Sequence, residues 1–240
     1  MKTINLTVLA FAALGMLATG EAVAAPVGEV AYIAGTLSAQ KPDGTVKILS
    51  RKSEIEVGDT LSTEKDSYVQ INFADKSQAT LRPNSRLKIE AYQFNEKEPE
   101  KDNLLFGLLK GGLRTLTGLI GKRGNQDAYR LQTKAATIGI RGSSGDTLEC
   151  SEGCAGVTST SDKLPPGVYH ATHTGVYIMI NEQGSQLIGK GQFGFVKDAQ
   201  TAPVLLTTDP GMGLNDMPFS LGVCGSAAGG GAGKNACIMR

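Results

Sequence analysis

The chain has 240 residues, a formal net charge of +1, 31 glycines, four cysteines, two histidines and no tryptophan. A near-neutral balance supplies no field to recruit nucleic acid or an anionic membrane. With 20% charged and 40% hydrophobic residues, the chain is neither a disordered charged tail nor a multi-span membrane protein, and glycine at nearly twice its usual share of about 7% favours a turn-rich, all-β chain.

The first residues carry a secretory pattern. Lys2 is a positive start, the run from Leu6 to Leu17 is mostly apolar, and Ala22-Val23-Ala24 offers small residues where signal peptidase requires them. This predicts a signal peptide over 1–24, cleaved after Ala24. The apolar run is too short to span a bilayer comfortably, and no later run of about 18 apolar residues exists. No transmembrane segment is therefore expected after cleavage, and the chain is expected to be exported from the cytoplasm.

Strands follow in short steps. Val30, Tyr32 and Leu37 are strand formers, and Pro42-Asp43-Gly44 is a turn signal ahead of Val46-Lys47-Ile48. Gly58-Asp59 marks another reversal. The clearest alternation is Tyr68 to Phe73, with Val69, Ile71 and Phe73 on one face and Gln70 and Asn72 on the other. Ala79, Leu81, Leu87 and Ile89 continue the inward face across two more turns, the rhythm of an all-β domain.

The stretch 103–123 reads differently. Leu113, Leu116 and Ile120 sit at i, i+3 and i+7, one stripe of a helix, while several glycines argue against a long one. The expectation is a strand near 104–110, then a short amphipathic helix or loop near 113–121. Its basic residues include Arg114, Lys122 and Arg123. Such a segment can touch a membrane surface or a partner through 113–123, or cap the open end of a β-core.

Strands resume at Tyr129–Thr133 and Ala136–Gly142. Asn181-Glu182-Gln183-Gly184 is a hairpin turn between Val176–Ile180 and Ser185–Ile188. After Leu206, Pro210, Gly211, Gly213, Pro218 and the glycine run suggest a loosely ordered tail. This divides the chain into 25–145, a β domain; 146–206, a β-strand extension packing on it; and 207–240, a glycine-rich tail. The fold class is all-β, a short-stranded β-roll or solenoid, or a sandwich; the regular recurrence of turns favours the β-roll or solenoid.

Export favours disulfides among the four cysteines. The local pairing, Cys150–Cys154 and Cys224–Cys237, is expected, because Ser151-Glu152-Gly153 can form a tight turn and the glycine run can fold back. The spacings do not match a zinc ribbon, so no metal is expected. His170 and His173 are three apart on a strand, on opposite faces, and cannot share one ion. No nucleophile elbow, Walker loop or dinucleotide fingerprint appears, and Asp59, Asp66 and Asp75 lie at turns, where Asp is favoured for its backbone bonds. No catalytic residue and no cofactor is predicted, and the chain is read as non-enzymatic. Low aromatic content with no tryptophan counts against sugar stacking, so binding of envelope polysaccharide or peptidoglycan is the second reading.

Thr133, Ala135, Ala136, Thr137, Ile138, Gly139, Ile140, Arg141, Gly142 and Ser143 resemble the T-P-x-A-x-x-G-V-R-G-T signature of the FecR domain, with Lys134 where proline is usual and Ser143 where threonine is usual. Upstream, Gly58-Asp59-Thr60-Leu61-Ser62-Thr63 resembles that family's G-D-x-L-x-T element. Tyr68–Phe73, Asp75, Leu81 and Pro83-Asn84-Ser85 resemble its next strand and turn, with Lys76 replacing glycine. Gly107, Leu109, Gly111 and Gly112 fall where the family has L-x-x-G-x-l. The resemblance covers about 58–145. It implies a β-rich periplasmic domain that serves signalling through contact with another envelope protein. FecR-type regulators also carry a cytoplasmic segment and a membrane helix that control a sigma factor. Here a cleavable leader stands in their place, so what carries over is the periplasmic domain. Arg141, flanked by small and apolar residues, is expected to be partly buried against a carboxylate or carbonyls, or else to recognise a partner. Arg141, Arg114, Lys122 and Arg123 are the candidate binding residues.

Overall fold

Side-chain alternation decides most of the strands. In a computed structural model that describes residues 25–215, Val69, Ile71 and Phe73 are buried and their neighbours half-exposed, as the sequence pattern requires. The expected leader over 1–24, the Cys224–Cys237 pair and the tail beyond residue 215 lie outside the described residues.

Among the described residues, fifteen strands follow one another. The first eight are β1 (Gly28–Ala34), β2 (Leu37–Gln40), β3 (Val46–Leu49), β4 (Glu54–Ile55), β5 (Thr60–Thr63), β6 (Tyr68–Phe73), β7 (Gln78–Leu81) and β8 (Arg86–Gln93). Then come β9 (Asn103–Leu116), β10 (Tyr129–Gln132), β11 (Thr137–Glu149), β12 (Val168–Asn181), β13 (Gly184–Gly189), β14 (Phe193–Val196) and β15 (Val204–Leu206). The all-β expectation holds.

Hydrogen bonding runs in two rows that share three long strands. One row is β4-β1-β6-β7, then the second halves of β9 and β11, the first half of β12, β14 and β15. The other is β3-β2-β5-β8, then the first half of β9, β10, the first half of β11, the second half of β12, and β13. The rows pack face to face. Phe73 of one row lies 5.1 Å from Phe106 of the other, and 5.9 Å from Tyr92. One core cluster takes residues from both, among them Val30, Ile71, Leu87 and Met179. The favoured β-roll or solenoid is corrected: with the two rows face to face, the packing is that of a sandwich whose strands switch sheets at bends.

Each shared strand bends where its partner changes, and each bend holds a glycine at positive φ: Gly111 (87°), Gly142 (60°) and Gly175 (71°). Only glycine adopts that backbone without cost. At Gly111 a Cβ would also stand 2.5 Å from the Ser85 Cα.

The 103–123 expectation needs correction. Residues 103–116 form one continuous strand, β9, and no helix forms in 113–121. Leu113 and Ile120 are fully buried. Two residues of the stripe therefore belong to the core, and Leu116 is half-buried beside them. Hydrogen-bonding partners on both sides of β9 override the helix preference of leucine.

A second, smaller core lies on the outer face of the first row. Leu148, Cys150, Cys154, Val157, Tyr169 and Met212 belong to it. The loop between β11 and β12 is folded over this face and closed by the Cys150–Cys154 disulfide, the expected pairing. Residues 207–214 form a strap across the same face, and Met212 within it is fully buried. The expectation of a loose tail directly after Leu206 is corrected for this segment: one methionine anchors it and backbone carbonyls tie it down.

Candidate functional site

Beneath the strap lies a charged cluster built on neighbouring strands. Asp146 stands opposite Arg114 in the β11–β9 ladder, and Arg82 follows β7 directly. Asp146 and Arg82 are fully buried. Arg82 Nη2 donates to Asp146 Oδ1 at 3.0 Å. Arg114 reaches Asp146 Oδ2 through Nε at 3.0 Å and Nη2 at 2.7 Å. His173 Nε2 lies 2.5 Å from the same Oδ2. Both arginines also bond the strap: Arg82 Nη1 donates to the Gly213 carbonyl at 3.2 Å, and Arg114 Nη2 to the Leu214 carbonyl at 2.7 Å.

Burial alone would push the Asp146 carboxyl up. The hydrogen bond from His173 and the charges of Arg82 and Arg114 outweigh it and hold the group well below the usual carboxylate range. The arrangement ties β9, β11, β12 and the turn after β7 to one another and to the strap.

On the opposite face of the same strands sits His170, fully buried. Its ring lies 4.1 Å from that of Tyr177, and its Nδ1 is 3.0 Å from Thr147 Oγ1. Burial lowers its pKa to about 3, with Asp146 pulling it up and His173 pushing it further down by less. The two histidines lie on opposite faces, as their spacing requires. Among the described residues, no three His, Cys, Asp or Glu side chains converge as metal ligands would. Asp59 and Asp75 work at turns: Asp59 accepts from the Glu56 amide, and Asp75 from the Ser77 hydroxyl and the Ile120 amide.

The four expected binding residues do not form one patch. Arg141 is exposed and its Nη2 donates to Asp127 Oδ1 at 2.8 Å. Its expected burial is corrected, because Ile138 and Ile140 take the inward positions and alternation sends Arg141 outward; the expected carboxylate partner is present. Arg114 is committed to Asp146. Lys122 donates to the carbonyl of Thr117 at 2.7 Å. Arg123 bonds Asp102 and the carbonyls of Glu96 and Asn95, and lies over the ring of Phe94 at 4.9 Å. The buried arginine is Arg82, in Leu81-Arg82-Pro83-Asn84. Sequence reasoning missed it along with Asp146. A charged residue among the small and apolar neighbours Gly145, Thr147 and Leu148 was the signal for Asp146, because a charge is almost never fully buried unless paired.

The family model described as FecR protein matches residues 59–158. No curated protein matches the chain. Among solved structures, two crystal structures of a candidate anti-sigma factor from Parabacteroides distasonis, at 2.50 and 1.65 Å, are each 10% identical with a TM-score of 0.45, covering 62% of this chain and 60% of theirs. This chain thus spans about 60% of the length of those solved chains. A third, described as a cell surface anchoring domain, is 22% identical with a TM-score of 0.25 and covers 26% of this chain and 82% of its own. The family match begins at the turn before β5 and ends in the disulfide-closed loop after β11. It spans the motifs quoted above from Asp59 to Ser143, so residues 59–158 are the part of this chain that is similar to the FecR family.

Proposed function

We propose that this chain is an exported, non-enzymatic FecR-like module that works in the bacterial periplasm by contact with another envelope protein, receiving or passing on a signal. The similarity to the FecR family over 59–158 carries this reading. The leader pattern in the first 24 residues supports export, and the Cys150–Cys154 disulfide suits an oxidising compartment. Among the described residues no helix is long and apolar enough to cross a membrane. The buried charges are spent on one another, which suits a scaffold better than a reaction centre. Of the four cations proposed for binding, Arg141 and Lys122 are exposed and stand closest to a partner's reach, while Arg114 and Arg123 hold internal contacts.

The test is in-cell cross-linking of the tagged chain, exported on its own leader, followed by purification. One envelope protein recovered in near-stoichiometric amount supports the reading. Retention on purified sacculi with no protein partner would replace it with peptidoglycan binding.

A further inference from the structure

The strand β3 pairs with β2 alone, so its outer edge carries unpaired backbone groups. The turn fixes which groups these are. Lys41 N donates to the Thr45 carbonyl at 2.8 Å, and the register continues Gln40↔Val46, Ala39↔Lys47, Ser38↔Ile48. In an antiparallel pair, bonded and non-bonded positions alternate. Ala39 and Lys47 therefore exchange backbone bonds. Val46 and Ile48 turn their N–H and C=O groups away from β2, toward solvent.

The side chains at this edge are also unusual. Val46 is 61% exposed and Ile48 72%, the two highest values among the exposed large hydrophobic residues described. Lys47, Arg51 and Lys52 are exposed in the same segment, and none of them forms an ion pair within 4.0 Å among the described residues. The Arg51 Nε donates to the Ala31 carbonyl. No carboxylate occurs from Gly44 to Ser53. The edge is thus apolar on one face and open in its hydrogen bonding, with Lys47 within it and Arg51 and Lys52 in the turn that follows. Neither a proline nor a bulge protects it.

We propose that the outer edge of β3 is a docking site for an extended acidic segment of another polypeptide, which adds as a further strand. Its backbone bonds Val46 and Ile48, its apolar side chains cover theirs, and its carboxylates face Lys47, Arg51 and Lys52. Strand addition of this kind draws affinity from main-chain bonds and selectivity from the side chains beside them. The charge decides between occupants. A second copy paired antiparallel about Lys47 would set Lys47 against its own counterpart, and like charges directly opposite are destabilising. An edge lysine is a common guard against self-pairing; the same guard admits an acidic strand. The inference rests on the interaction role proposed above and supplies its contact surface.

Two synthetic peptides of alternating threonine and valine test it, one interrupted by glutamates and the other by lysines. Amide hydrogen exchange is read by NMR on the mature chain. The acidic peptide should slow exchange at Val46 and Ile48 by about tenfold or more, and the basic peptide should not. Ile48→Pro removes one outward N–H, which an edge strand tolerates, and should abolish the effect. Lys47→Glu should weaken the acidic peptide and improve the basic one, which keeps the test open if the proline variant fails to fold. Equal binding of both peptides, or of neither, overturns the proposal. So does protection that grows with protein concentration alone, which would identify a second copy as the occupant. A cross-linked envelope partner retained by Ile48→Pro would overturn the β3 site and leave the interaction role standing; a wild-type chain that captures no protein partner would sink that role instead.

Discussion

Replacing His170 by leucine should flatten the dependence of stability on pH. The imidazole is fully buried between Tyr177 and Thr147, and its Nε2 has no hydrogen-bond partner. Burial lowers its pKa from 6.5 to about 3; Asp146 raises it and His173 lowers it, both by less. The folded value lies below the unfolded one. Between those two values the unfolded chain binds a proton that the folded chain does not. The contribution of this group is therefore intact above the unfolded value and falls as the pH drops. Each pH unit in that window is worth about 1.4 kcal/mol. From about pH 6.5 to about pH 5 the wild-type chain should lose about 2 kcal/mol that His170→Leu does not lose. Losing the bond to Thr147 costs the variant about 1 kcal/mol at every pH, so the slope is the readout rather than the height. Urea unfolding of both proteins at several pH values, followed by far-ultraviolet circular dichroism, measures the difference. Parallel curves, or an imidazole resonance of His170 that titrates near pH 6, would refute the reasoning.

Asp146→Asn leaves Arg82 buried without a counter-charge and should cost about 3–5 kcal/mol in urea unfolding at neutral pH. The carboxyl is held below its usual range, so its contribution is present above the unfolded value of 3.8 and is lost as the pH falls through the folded one; the gap between wild type and variant should narrow in acid. Cys154→Ser opens a loop whose ends are four residues apart, worth about 2 kcal/mol by loop entropy. Reductant should lower the Tm of the wild-type chain toward that of the variant. Met212→Ala should cost about 2–5 kcal/mol if the strap belongs to the cooperative fold; a loss below about 0.5 kcal/mol, the size of a surface change, would show that the strap is dispensable.

The sequence made the simple parts of this fold legible. Tyr68–Phe73 alternates strictly and becomes β6, buried on one face as read. Pro42-Asp43-Gly44 and Asn181–Gly184 reverse the chain where turn chemistry demands. The leucine-rich stretch was misread because Leu113, Leu116 and Ile120 happen to fall at helical spacing. Whether leucine sits in a strand or a helix is decided by the strands on either side of β9, and these come from other parts of the chain. Arg141 was misread for a different reason: its small neighbours suggested burial, whereas the inward positions of Ile138 and Ile140 already assign it to the outer face. The Arg82–Asp146 pair joins residues 64 apart, and their meeting depends on the register of β7, β9 and β11, which local pattern does not encode. The strap was hidden by its own composition, since glycine and proline around Met212 signal looseness while one buried side chain holds it.

The strand β9 is bonded to β7, β8, β10 and β11, two of which precede it in the chain and two of which follow. As the polypeptide emerges from its N-terminus, the first eight strands can line only one flank of β9. The other flank waits for residues 129–149, and β11 in turn waits for β12. No early portion can therefore close by itself, and a fragment trimmed to the family match would leave β6 without β1 and β11 without β12. The molecule should assemble late and all at once, so vectorial synthesis gives it no stable halfway stage, and any dissection by truncation should keep residues 25–215 together.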